Sequence, residues 1–121
     1  MKSLKDVVWE GSSLEDLKKF PKDIVKEFGH EILRLQKNEA PFDSKSMGSI
    51  GSGVYELRQK DKNGWYRVIY YTKVKESVNI LHSFTKKSTK TPKLDLELAT
   101  KRLKNLKARE QEKKRKAKIM K

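Results

Sequence analysis

The segment from Val54 to Phe84 restricts the fold of this chain most, because it reads as three consecutive strands separated by turns. Val54 to Gln59 alternates, with Tyr55 and Leu57 on one side and Val54, Glu56 and Arg58 on the other. Asn63-Gly64 is a tight-turn signal, since both residues accept positive φ. Trp65 to Thr72 contains YRVIYY, β-branched and aromatic almost throughout, as suits a central strand covered on at least one face. Ser77 to Phe84 sets Val78, Ile80, His82 and Phe84 against Asn79, Leu81 and Ser83. The expectation is an antiparallel meander. With Asn63-Gly64 as the loop between Lys62 and Trp65, Asp61 pairs with Tyr66, Lys60 with Arg67, and Arg58 opposes Ile69. Arg58 and Arg67 are then diagonal neighbours.

Around the meander, Val7, Val8 and Trp9 predict a first strand over residues 5–10. Ser12-x-x-Glu15 fits a capping box and opens a short helix reaching about Lys19. Pro21 suits the first position of a second helix, whose Ile24, Val25, Phe28, Ile32 and Leu35 share one face. Residues 38–53 are rich in Gly, Ser and Pro and read as a loop, pinned to the core by Met47 and Ile50. Thr91-Pro92 resembles the start of a last helix, docked through Leu96, Ala99, Leu103 and Leu106. Beyond Lys107 that stripe vanishes until Ile119 and Met120. The pattern predicts an α+β fold in the order β-α-α-β-β-β-α, a four-stranded antiparallel sheet with helices on one face. Residues 1–107 form the domain, and 108–121 a basic C-terminal helical extension or tail.

At 121 residues there is room for one compact domain. The absence of Cys excludes a disulfide framework, a thiolate metal site and a cysteine nucleophile. His30 and His82 are too few for a His-rich centre, so no metal or cofactor is expected. No apolar run approaches the roughly 20 residues that span a bilayer, which points to a cytoplasmic protein without a membrane partner. Lys and Arg number 30 against 16 Asp and Glu, a net charge of +14. Residues 101–121 hold 11 basic and 2 acidic side chains, either a solvated helix end or a polyanion contact. Between Glu76 and Asp95 no acid occurs, while His82, Lys86, Lys87, Lys90 and Lys93 accumulate. Such a field of one sign suits nucleic acid.

Arg67, inside a central strand, needs a partner if it is buried. Two readings stand: pairing with Glu56, or projection from an uncovered sheet face to grip phosphate, with Arg58 converging on it. His82 reads as a satisfied core residue or as a proton-transfer group. Phe84 reads as core or as a stacking platform for an RNA base. Lys86, Lys87 and Lys90 precede the helix start and form either a solvated loop or an anion cradle. Lys93 and Arg102 are further RNA-binding candidates. These residues permit RNA cleavage without a metal: the ribose 2′-hydroxyl attacks phosphorus, cations stabilise the pentacoordinate phosphate, and proton transfer serves the two oxygens.

The segments VVWEGSSLEDLKKFP, GSGVYELR, GWYRVIYY and LHSFTKKSTKTPK, in this order, resemble the phage-derived HigB-like toxins of the RelE/ParE superfamily over about Val7 to Leu106. The resemblance implies a RelE-type fold and the toxin half of a type II toxin–antitoxin pair. Many such relatives are mRNA interferases that cut messenger RNA in the ribosomal A site. The antitoxin implied is a small helix-turn-helix DNA-binding protein. Arg67 matches the strand arginine that contacts the scissile phosphate in RelE-like enzymes. Arg58 falls where they carry a lysine, and Lys86 or Lys87 where they carry a basic residue after the last strand. Glu56 departs from the pattern, at a position that is basic in those enzymes, and no Tyr follows Tyr71 to match their C-terminal tyrosine. The general base then falls to His82, Lys86, Lys87 or Lys90. The function expected is a metal-independent, ribosome-dependent endoribonuclease that inhibits translation, with mRNA and rRNA as partners. The same scaffold also supports a non-catalytic inhibitor of a protein such as DNA gyrase, or a basic RNA- or ribosome-binding module.

Overall fold

The computed structural model describes residues 3–86 and 91–119. Strand β1 (Asp6–Trp9) is followed by helices α1 (Ser13–Lys18) and α2 (Lys22–Gln36). Strands β2 (Ser44–Ser46), β3 (Val54–Asp61), β4 (Gly64–Tyr71) and β5 (Ser77–Lys86) come next, and helix α3 (Lys93–Ile119) closes the chain. The sheet order is β1-β5-β4-β3-β2. The fold is α+β as expected, with two corrections to the sheet. It has five strands rather than four, and it is mixed, because β1 runs parallel to β5 while the other pairs are antiparallel. The added strand β2 is Ser-Lys-Ser, with neither alternation nor β-propensity. It pairs with β3 and covers that strand's outer edge.

The helices do not share one face, which corrects a third expectation. On one side Leu17, Phe20, Ile24, Phe28 and Ile32 of the α1–α2 region pack with Leu57, Tyr66, Val68, Tyr70, Val78 and Ile80. On the other, Ala99, Leu103 and Leu106 of α3 pack with Val54, Ile69, Tyr71, Leu81 and Phe84. Strand β4 is apolar on both faces, so one helical layer leaves half of it wet. The α3 stripe supplies the second cover.

Two register details move side chains that matter below. Asp61 pairs with Gly64, so Lys62 and Asn63 form the hairpin loop instead of Asn63 and Gly64. Asp61 Oδ1 accepts the backbone N–H groups of Asn63 at 2.8 Å and Gly64 at 3.1 Å, an Asx turn that closes the loop one residue early. Arg58 therefore lies directly opposite Arg67, not diagonal to it. In the β4–β5 ladder, Ile69 pairs with His82 and Tyr70 with Ile80, a bulge that passes over Leu81. The bulge breaks the single alternation expected of β5. Val78 and Ile80 join the α2 side, whereas Leu81 and Phe84 join the α3 side. No helix among the described residues is long and apolar enough to cross a membrane.

Leu103 is 3% exposed beneath α3. Leu103→Ala is expected to lower unfolding free energy by about 2–5 kcal/mol in a denaturant titration, as for other buried leucines.

Candidate active site

Toward the β3–β4 turn, the sheet face that carries α3 changes from apolar to cationic. The cross-strand rungs record the change: Glu56–Ile69–His82, then Arg58–Arg67–Phe84, then Lys60–Trp65–Lys86. Three neighbouring strands thus bring Arg58, Arg67 and Lys86 into adjacent rungs. Like charges placed directly opposite in an antiparallel pair repel. Two carboxylates offset that repulsion. Arg67 Nε lies 3.1 Å from Glu56 Oε1, with both side chains nearly buried at 12% and 3% exposure. This is a charge contact rather than an aligned hydrogen bond, and it leaves Arg67 Nε and Glu56 Oε2 without a hydrogen-bond partner. Arg67 Nη1 donates to the Tyr66 carbonyl at 3.2 Å. Arg58 donates through Nε and Nη2 to Asp43 Oδ1 at 2.9 and 2.6 Å.

Lys86 is buried among these groups. Burial pushes its pKa below the usual lysine value of 10.5, Glu56 opposes that shift, and Arg67, Lys45 and Arg58 add to it. A lysine so placed gives up its proton more readily than one in water.

Other sequence candidates have different surroundings. His82 is 4% exposed, with Nε2 2.6 Å from Asp95 Oδ1 and Nδ1 3.2 Å from Arg102 Nη1. Because Arg102 only donates, Nδ1 is the acceptor and Nε2–H donates to Asp95, a tautomer assigned from these partners. His82 thereby clips α3 to β5. Arg102 completes the clip, donating to the Leu81 carbonyl at 2.9 Å and to Ser12 Oγ at 3.1 Å. Ser12 Oγ in turn donates to Asp16, and no side-chain cap forms at the start of α1, so the expected capping box is absent. Gly11 makes room for the guanidinium: its φ is +53°, and a Cβ there would meet Arg102 at 2.6 Å. Phe84 is 7% exposed and stacks on His82 with centroids 5.1 Å apart, so its ring is committed to the fold. Lys93 is 89% exposed and 3.9 Å from Glu97, in a loose surface pair. Lys87 and Lys90 lie outside the described residues.

The comparisons with known proteins agree with this architecture. Residues 15–104 match the family described as "Phage derived protein Gp49-like". The chain belongs to this Gp49-like family. A free-state structure of an arginine-substituted mutant of E. coli toxin RelE covers 84% of the Gp49-like chain and 97% of its own length. Its TM-score is 0.57 and its identity 13%, a likeness of fold. No curated protein matches. The Gp49-like chain therefore has a RelE-like fold, as the four sequence segments imply.

Two site residues were not among the sequence candidates for chemistry. Glu56 was visible as an acid in an otherwise basic position. Asp43 gave no signal, because the loop that carries it has no periodicity to place it.

The Lys86 shift gives a stability test. Between its folded-state pKa and 10.5, the unfolded chain holds a proton that the folded chain has released, so folding gains with rising pH. The unfolding free energy of wild type minus that of Lys86→Met is expected to rise through that window and to stay flat below it. Paired denaturant titrations across the alkaline range measure this difference.

Proposed function

We propose that this Gp49-like protein is the toxin of a type II toxin–antitoxin pair and cleaves messenger RNA on the ribosome without a metal. The observation that carries the reading is the rung in which Arg58 and Arg67 oppose one another, with a buried Lys86 in the next rung. Two guanidinium groups at that spacing suit the non-bridging oxygens of one phosphodiester. The ribose 2′-oxygen attacks phosphorus and forms a 2′-O–P bond. The P–O5′ bond breaks, leaving a 2′,3′-cyclic phosphate and a 5′-hydroxyl. Arg67 and Arg58 stabilise the charge that builds on the pentacoordinate phosphate. Lys86, with its burial-lowered pKa, delivers the proton to the departing O5′. The proton of the 2′-hydroxyl passes to a separate base, for which Lys87 and Lys90 are the sequence candidates, while the buried Glu56 holds Arg67. His82, bonded to Asp95 and Arg102, takes no part in this scheme.

The partners that go with this reading are mRNA in the ribosomal A site, rRNA, and a small helix-turn-helix antitoxin, with the cytoplasm as the location. The far end of α3 suits rRNA. A groove of about 1170 Å³ beneath it is lined by Lys73, Lys75, Lys113, Lys114 and Lys118 among others.

One observation favours a second reading, a ribosome-binding module without activity: each site arginine is paired with a carboxylate of its own chain. Arg67→Ala separates the two. A catalyst is expected to lose about 100-fold or more in cleavage of ribosome-bound message, read by primer extension, while keeping most of its ribosome affinity. Cleavage undiminished in this variant removes Arg67 from the chemistry. No cleavage by wild type, together with inhibited DNA supercoiling, assigns the protein to gyrase inhibition.

Arg109 bonds the buried Glu10 at 2.7 and 2.8 Å, so a truncation that spares the core begins after it. Removal of residues 112–121 is expected to weaken ribosome binding and to flatten its dependence on salt. Filter binding across a salt series reads both effects.

A further inference from the structure

Arg58 is half-exposed at the cationic end of β3, where a free arginine samples many rotamers. Here it is fastened twice. Its backbone N–H donates to the Asp43 carbonyl at 3.3 Å, and its Nε–Nη2 edge donates to the Asp43 carboxylate. Asp43 is itself held from the opposite side of the sheet. The N–H groups of Phe42 and Asp43 donate to Glu31 Oε2 at 2.8 and 3.2 Å, and Glu31 is a buried residue of α2, 3% exposed. Arg34, one turn further along α2, lies 3.7 Å from Glu31 Oε1 and 3.6 Å above the Phe42 ring. On the other side of Asp43, Ser44 Oγ and Tyr70 Oη are 2.9 Å apart.

A carboxylate buried in a helix face is unfavourable unless its oxygens are occupied. Glu31 spends one of them on the backbone of the loop that carries Asp43. A chain of contacts thus runs from α2, round the β2–β3 edge, to a guanidinium on the far face. The contact engages one edge of Arg58 and leaves Nη1 unbonded to protein among the described residues.

We propose that Glu31 and Asp43 are positioning residues for the ribonuclease site. Glu31 fixes the 42–43 backbone, Asp43 fixes the Nε–Nη2 edge of Arg58, and the remaining end of the fork is held ready for phosphate. This rests on the ribonuclease reading above. The gain is preorganisation: a guanidinium already oriented loses less freedom when charge develops on the phosphate.

The opposing possibility is that Asp43 is only a counter-ion that competes with RNA. Asparagine separates the two, because it keeps an acceptor oxygen for Arg58 and loses the charge. The experiment compares full-length wild type with Asp43→Ala, Asp43→Asn, Glu31→Ala, Arg58→Ala, Arg67→Ala and the double variant Arg58→Ala/Asp43→Ala. Cleavage of ribosome-bound message gives kcat and KM, and a 2′-O-methyl RNA of the same sequence gives affinity without turnover.

Asp43→Ala and Glu31→Ala are expected to lower kcat about tenfold with KM within roughly twofold, and Asp43→Asn to recover most of the loss. The double variant is expected to be no worse than Arg58→Ala alone, since Asp43 acts through Arg58. Asp43 is 50% exposed, so its variants keep the core intact and carry the test if Glu31→Ala fails to fold. Tighter binding of the 2′-O-methyl RNA by both Asp43 variants, with kcat undiminished, makes Asp43 a counter-ion and overturns the proposal. Loss of cleavage in Arg67→Ala but not in Arg58→Ala also overturns it, and leaves the ribonuclease reading standing. Full cleavage in both arginine variants sinks the ribonuclease reading itself.

Discussion

Strand β4 leaves no solvent face at its centre. Val68 and Ile69 are neighbours on opposite faces, and both are fully buried. Two helical layers follow from that single fact. The α1–α2 region covers the side of Tyr66, Val68 and Tyr70, and α3 covers the side of Ile69 and Tyr71. The α3 stripe is narrow, with Ala99, Leu103 and Leu106 as its buried residues. Polar fasteners extend its hold: Asp95 and Arg102 on His82, and Arg109 on Glu10. The apolar cover ends before the β3–β4 turn, and the cationic rungs begin there.

Those rungs pose an electrostatic problem that the fold solves with its own carboxylates. Arg58 and Arg67 are directly opposed, and Lys86 is buried beside them. Glu56 offsets Arg67 from within the sheet, and Asp43 offsets Arg58 from the loop before β2. The two pairs differ in kind. Glu56–Arg67 is nearly dry and poorly aligned, so each partner keeps an unsatisfied atom, whereas Asp43–Arg58 is well aligned and half in water. On the proposed reading, an anion entering this place meets arginines that are already oriented, Arg58 offering the end of its fork that Asp43 leaves unbonded. The stability of the ground state and the readiness of the site thus draw on the same contacts.

Much of this was legible in the chain. The 3-4 spacing of Ile24, Phe28 and Ile32 gave α2, and the YRVIYY run gave a central strand. Alternation brought Arg58 and Arg67 together on neighbouring strands, though diagonally rather than opposed, whereas Lys86, read as part of the loop after the last strand, is the final residue of β5. Other features left no trace in local pattern. The Ser-Lys-Ser of β2 is a strand only because β3 had an open edge. The Asx turn of Asp61 displaced the Asn63-Gly64 signal, since a side-chain acceptor closed the loop first. The bulge at Leu81 split an alternation that looks continuous on paper.

The sequence by itself determined the helices and every strand but β2, and where the positive charge collects, because these depend on local periodicity and composition. Only the tertiary structure decided which face each helix covers and which acid meets which arginine. It also brought His82 against Asp95 and Arg102 of α3. Those outcomes depend on register and on contacts between residues far apart in the chain, such as Asp43 with Arg58 and Glu10 with Arg109, which no local pattern encodes.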